Sequence, residues 1–90
     1  MNKSQLVESV AEATQLSKTS IEEVINMSLD LIRKSVKKGD DVTLVGFGTF
    51  TKTKRKARMG RNPQTGKEIK IPATVVPRFR PGKEFKDLVR

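Results

Sequence analysis

A chain of 90 residues with 34% hydrophobic side chains and neither cysteine nor histidine allows one domain with a modest core; it excludes disulfides, thiolate metal sites and histidine chemistry. Nineteen lysines and arginines against ten acids give a net charge of +9, which calls for a polyanionic partner and leaves oligomerisation to complete so small a core. No apolar run approaches the roughly 18 residues of a membrane span and the N-terminus lacks the apolar stretch of a secretory signal, so a cytoplasmic protein is expected.

The charge is unevenly placed. Residues 1–45 carry six basic and seven acidic side chains, a net of −1, whereas residues 46–90 carry thirteen and three, a net of +10, which together make the +9. The first half reads as scaffold and the second as the part that meets the polyanion.

Asn2 and Gln5 stand at capping-box spacing, and Leu6, Val7, Val10, Ala11 and Thr14 follow at helical spacing, which predicts a short first helix. A second helix is predicted from Ser17 as N-cap, with Leu16 set to staple onto Ile21, to a stop at Gly39 after Lys37 and Lys38. On a helical wheel Ile21, Val24, Ile25, Met27, Ser28, Leu29, Leu31, Ile32 and Val36 fill an arc of roughly 200°, against the roughly 100° a small monomer needs. The surplus predicts a second chain against this helix; a helix sandwiched inside one domain fits so short a chain less well.

Beyond Gly39 the period changes to two. Val42 and Leu44, and later Ile69, Ile71, Ala73 and Val75, alternate with polar residues as half-buried strands do. Gly46 and Gly48 around Phe47 predict a tight turn or bulge, and Pro81-Gly82 opens a last helical stretch over residues 83–90, docked by Phe85, Leu88 and Val89.

From residue 51 to 68 the chain reads TKTKRKARMGRNPQTGKE, in which only Ala57 and Met59 could join a core. Thr51 and Thr53 favour strand, and Asn62-Pro63 with Gly66 mark a reversal, so a long hairpin is predicted with its tip near residues 61–66. About ten residues at roughly 3.3 Å each carry that tip about 30 Å outward. A lone two-stranded ribbon is marginal in water, so the arm is expected to order on its ligand. Lys52, Lys54, Arg55, Lys56, Arg58 and Arg61, with no acid among them, line one strand and the tip, and such a ribbon has the width to enter a DNA groove.

GFGTF at 46–50, Arg55, Arg58 and GRNPQTGKE at 60–68, with Gly39 and FRPGKEFKD in order, give a sequence that resembles the bacterial HU/integration host factor family over essentially its whole length. The resemblance implies an α+β fold in which a helical base carries a small antiparallel sheet and a long protruding β-ribbon arm. It also implies an intertwined dimer, either of itself or with a paralogous subunit, whose arms embrace the minor groove of bent double-stranded DNA. One domain spans 1–90, with 1–45 mainly helical and dimerising, 46–80 the sheet and DNA-binding arm, and 81–90 a C-terminal helix. By position, the resemblance assigns Arg55, Arg58 and Arg61 to phosphates and the minor groove, with Asn62 beside them. Pro63 becomes a wedge between base pairs, as architectural proteins of this family use apolar side chains to kink the duplex. Lys3, Arg80, Lys83 and Lys86 are implied along the flank of the body. Ile25, Leu29, Ile32, Phe47, Phe50 and Phe79 fall to the core and dimer interface rather than to base stacking. The family often has a basic residue where Thr53 stands and an acidic or small one where Lys54 and Lys56 stand, so this arm is more densely basic.

General acid-base, nucleophilic and metal chemistry lack their usual residues, so neither an enzyme, a metal nor a cofactor is expected. GRNPQTGKE is not a phosphate-binding loop, because five residues rather than four separate Gly60 from Gly66 and Glu68 follows Lys67. An RNA-binding module is the rival class, since phosphate attraction does not tell the polymers apart, but no RNP-like aromatic pattern occurs. A membrane-surface role is disfavoured by the mixed charge of Glu22, Glu23, Asp30, Arg33 and Lys34 on the long helix. The expected protein is an architectural one of the nucleoid that bends duplex DNA with low sequence preference; a sequence-preferring heterodimer subunit is the alternative.

Overall fold

Helix α1 (Lys3–Thr14) begins with a complete capping box, the Asn2 side chain accepting from the Gln5 amide and the Gln5 side chain from the Asn2 amide, both at 2.9 Å. Helix α2 (Lys18–Lys38) starts at Ser17, whose Oγ accepts from the Ser20 amide at 3.1 Å. It ends in a Schellman motif: the Gly39 amide donates to the Val36 carbonyl at 3.0 Å and the Asp40 amide to that of Ser35 at 2.9 Å. Gly39 sits at φ 99°, a conformation that side chains resist, which is why the helix stops there.

The computed structural model describes residues 1–90, which form two compact units, Met1–Lys34 and Ser35–Arg90. In the first, Val7 and Ala11 of α1 and Ile21 of α2 are buried, with Val10 and Ile25 packed against them. These three are the only buried hydrophobic core residues of the chain. An exposed pair, Lys18–Glu8 at 3.8 Å, adds little. Val24, Met27 and Leu31 form a second stripe on α2, at i, i+3 and i+7, and remain 61%, 62% and 57% exposed. One chain therefore leaves unburied the surplus face that its sequence predicts.

The second unit holds β1 (Val42–Leu44), β2 (Gly48–Arg55), β3 (Arg58–Arg61), β4 (Glu68–Ile71), β5 (Thr74–Pro81) and α3 (Lys83–Val89). Strands β1, β2 and β5 make an antiparallel sheet in that order, and β3 and β4 a separate ribbon. A turn through residues 45–47, closed by the Phe47 amide on the Leu44 carbonyl at 3.0 Å, joins β1 to β2. As an edge strand, β5 tolerates Pro77 in its middle. The α+β expectation is met, with three helices, an antiparallel sheet and an arm ribbon.

The arm departs from the single long hairpin the sequence suggests. Pairing runs to Arg55↔Thr74, stops for Lys56, Ala57, Pro72 and Ala73, and resumes at Arg58↔Ile71. Two residues intervene on each side, so the register carries through without a bulge. Pro72 has no amide to donate, which removes a ladder bond there and explains why the alternation of Ile69 to Val75 does not make one strand.

Four phenylalanines hold the second unit. Phe47 lies 5.2 Å from both Phe79 and Phe85, and Phe50 lies 4.9 Å from Phe79, distances at which aromatic rings attract. These rings pack on one another, while Phe47 and Phe79 remain 44% and 38% exposed in the single chain. The cluster closes over Gly48, where a Cβ would come within 2.6 Å of the Phe79 ring and of the Arg80 carbonyl. Replacing Gly48 by Ala is expected to destabilise the fold by about 1–3 kcal/mol, read as a lower urea midpoint; an unchanged midpoint would show that ring and strand move aside freely.

Candidate nucleic-acid interface

Alternation along β2 and β5 sorts the cations. Phe50↔Phe79, Lys52↔Pro77 and Lys54↔Val75 share one face; Thr49↔Arg80, Thr51↔Arg78, Thr53↔Val76 and Arg55↔Thr74 share the other. Thr43 joins the second face, its hydroxyl 3.2 Å from that of Thr49, while the Thr51 hydroxyl donates to Asp41 at 2.6 Å. Short, β-branched threonines keep this face shallow, so that Arg55, Arg78 and Arg80 rise from an otherwise low surface.

Lys52 and Lys54, expected on the same strand as Arg55, stand on the aromatic face, opposite to Arg55. The Lys52 ammonium donates to the Lys37 carbonyl at 2.9 Å, at the C-terminal end of α2, where the free carbonyls and the helix dipole favour a cation. Lys52, expected among the DNA-binding cations, is thus placed at a helix end, which its length lets it reach back and cap. Lys54 lies opposite Val75 and is exposed. Lys83 and Lys86 belong to α3, whose Phe85 stacks on Phe47, and Lys3 is the first residue of α1 in the other unit.

In the ribbon, Arg58↔Ile71 and Gly60↔Ile69 share one face, and Met59↔Lys70 and Arg61↔Glu68 the other. At the tip the Asn62 amide donates to the Lys67 carbonyl and the Gly66 amide to the Asn62 carbonyl, both at 2.8 Å. The Asn62 side-chain oxygen accepts from the Gln64 amide at 2.9 Å, which ties the side chain to the turn and leaves its NH2 free for a ligand. Pro63 sits exposed at the first position of this turn, where its fixed φ suits the bend and its missing donor is not needed.

Electrostatically the site is one-signed. The two ion pairs of the chain, Lys18–Glu8 and Arg33–Asp30, lie in the first unit, and no cation of the sheet or arm has a carboxylate partner. Glu68 faces Arg61 in register without pairing with it. Of the expected residues, Arg55, Lys56 and Arg58 come together at the root of the arm and are joined by Arg78, which sequence reasoning missed. A signal for it exists in R-F-R at 78–80: once Phe79 is placed in the core, both neighbours must fall on the opposite face.

Comparison with known proteins places this arrangement. The family described as bacterial DNA-binding protein matches residues 1–90. The DNA-binding protein HU-beta of Salmonella typhimurium is 53% identical over 89 residues, covering 99% of each chain, and the DNA-binding protein HU of Geobacillus stearothermophilus is 49% identical over 90, covering both chains fully. Among solved structures, an Anabaena HU–DNA cocrystal structure superposes with a TM-score of 0.93 at 48% identity, over 99% of this chain and 97% of that one. HU from Thermotoga maritima gives 0.73 at 29% identity over the full length of both. With its whole length matched and half its residues shared with such relatives, the chain belongs to the bacterial DNA-binding protein family.

Proposed function

We propose that this chain is a histone-like architectural protein that works as a dimer, holds duplex DNA through phosphates and the minor groove with low sequence preference, bends it, and organises the nucleoid without catalysing a reaction. The observation that carries this reading is the arginine face with its continuation into the arm: cations without carboxylate partners on a shallow, threonine-lined surface. Guanidinium groups match phosphate oxygens in bidentate geometry, and such contacts position a duplex without reading its sequence. The Anabaena HU relative is solved as a complex with DNA, which supports the same partner here.

The tip supplies the bend. Pro63 is apolar, rigid and exposed, so it enters a base step with little loss of conformational freedom and replaces part of the lost stacking. Arg61 and the free NH2 of Asn62 flank it and contact the groove floor and walls. A second copy covers the Val24, Met27 and Leu31 stripe of α2, since one chain buries too little to hold its fold at this size.

Three experiments test the reading. If about six to ten phosphates are neutralised, gel-shift affinity for random duplex falls roughly 10³- to 10⁵-fold between 50 and 200 mM salt. Arg78→Gln or Arg80→Gln reduces the salt slope by about 1 each, while Lys54→Gln on the aromatic face leaves it nearly unchanged. A flat salt response, or tighter binding to duplex RNA than to DNA, sinks the proposal. Pro63→Ala is expected to reduce bending, followed by energy transfer across a doubly labelled duplex, more than it reduces affinity; equal bending by both proteins removes the wedge. Leu31→Asp shifts sedimentation equilibrium from dimer to single, largely unfolded chains, and a wild-type protein that sediments as a folded single chain refutes the dimer.

A further inference from the structure

Where the three-stranded sheet ends and the ribbon begins, the surface dips into an open hollow of about 360 Å³. Arg55, Lys56, Arg58 and Arg78 line it, together with the apolar Ile71 and Pro72. No carboxylate lines it, and none of the four cations has an ion-pair partner anywhere in the chain. The interruption of the ladder makes this gathering possible. In an unbroken strand the consecutive residues Arg55 and Lys56 would point to opposite faces, but with residues 56 and 57 outside the ladder both reach the same hollow.

Its volume falls at the lower end of the roughly 300–1,000 Å³ of small-ligand sites. A nucleic-acid backbone offers one charge per phosphate along an extended chain, so few of its phosphates fit such a hollow at once. A condensed phosphate places several charges within a few ångströms, and the planar guanidinium fork engages its non-bridging oxygens in pairs. Thr74, also in the lining, carries a hydroxyl that can donate, and the apolar Ile71 and Pro72 limit competing water on one side.

We propose that this hollow is a seat for a condensed phosphate chain, either inorganic or the tail of a nucleotide, and that its occupant competes with DNA for the root of the arm. The competition rests on the DNA-binding reading above; the seat itself does not.

The test is calorimetric titration of the full chain, without DNA or magnesium and at fixed ionic strength, with inorganic tripolyphosphate, adenosine triphosphate and orthophosphate, together with amide chemical shifts. Tripolyphosphate is expected to bind saturably and at least about tenfold more tightly than orthophosphate, to shift the amides of residues 55–58 and 71–78, and to lose about tenfold in affinity in Arg58→Gln or Arg78→Gln but not in Lys54→Gln. Equal affinity for the triphosphate nucleotide assigns the seat to the phosphate chain alone, and tighter nucleotide binding adds a base resting on Ile71 and Pro72; both support the seat. Orthophosphate binding as tightly as tripolyphosphate, or Lys54→Gln weakening binding as much as Arg78→Gln, would reveal only a diffuse ion atmosphere and overturn the proposal. A chain that holds tripolyphosphate but not duplex DNA refutes the architectural reading and leaves the seat standing, whereas the reverse result refutes the seat alone.

Discussion

The antiparallel pairing of β2 with β5 is the constraint on which the interface depends. One register puts Phe50 opposite Phe79 and, in the same stroke, sets Arg55, Arg78 and Arg80 on the other side of the sheet. Because side chains alternate strictly, a slip of one residue would move the rings to the cationic face and the arginines into the aromatic cluster. Burying unpaired guanidinium groups is prohibitive, so the electrostatic pattern and the hydrophobic pattern enforce the same register. Gly48 adds a steric lock: it meets Pro81 at the end of the ladder with no room for a Cβ beside the Phe79 ring. The packing that makes the sheet stable is thus also what aims the cations.

Concentrating charge in this way opposes folding. Two unit charges 4 Å apart repel by about 1 kcal/mol in bulk water, and by less once they are separated by more than a Debye length of about 8 Å. Exposure therefore decides what the scaffold tolerates, and the arginines and lysines of sheet and arm stand in solvent rather than in the core. Conventional stabilisation by ion pairs would neutralise the very surface that meets the ligand. The chain instead leaves those cations unpaired and takes its order from aromatic packing, helix caps and, on the reading proposed here, from association and ligand binding, which stabilise a folded state by mass action.

Much of this was legible in the sequence because it is local. The capping box at Asn2 and Gln5, the Ser17 cap and the Gly39 stop are set by residues a few positions apart, and the structure forms all three. The tip around Asn62, Pro63 and Gly66 is local in the same sense. What sequence reading missed depends on pairing across the fold. Lys52 looked like one cation in a basic run, and its bond to the Lys37 carbonyl became visible only once β2 was placed beside the end of α2. Arg78 was passed over because it lies outside the basic run, although its register opposite Thr51 brings it onto the face of Arg55. The excess apolar arc of α2 was readable from periodicity alone, and Val24, Met27 and Leu31 do stand exposed along it.

The broken ladder at the root of the arm shows how a local defect extends a surface. An uninterrupted ribbon from Thr51 onward would divide its cations between two faces, and those on one face would look away from any duplex lying on the other. Pro72 prevents that outcome by withholding one backbone donor, and the unpaired residues 56 and 57 opposite it are released from strict alternation. Arg55, Lys56 and Arg58 then converge on one hollow with Arg78, although their spacing in sequence would scatter them. The same joint relaxes the requirement that ribbon and sheet share one continuous twist, so the ribbon is free to follow the curvature of a groove while the sheet stays fixed by its phenylalanines. A proline that weakens the arm as a strand thereby strengthens it as a cationic surface.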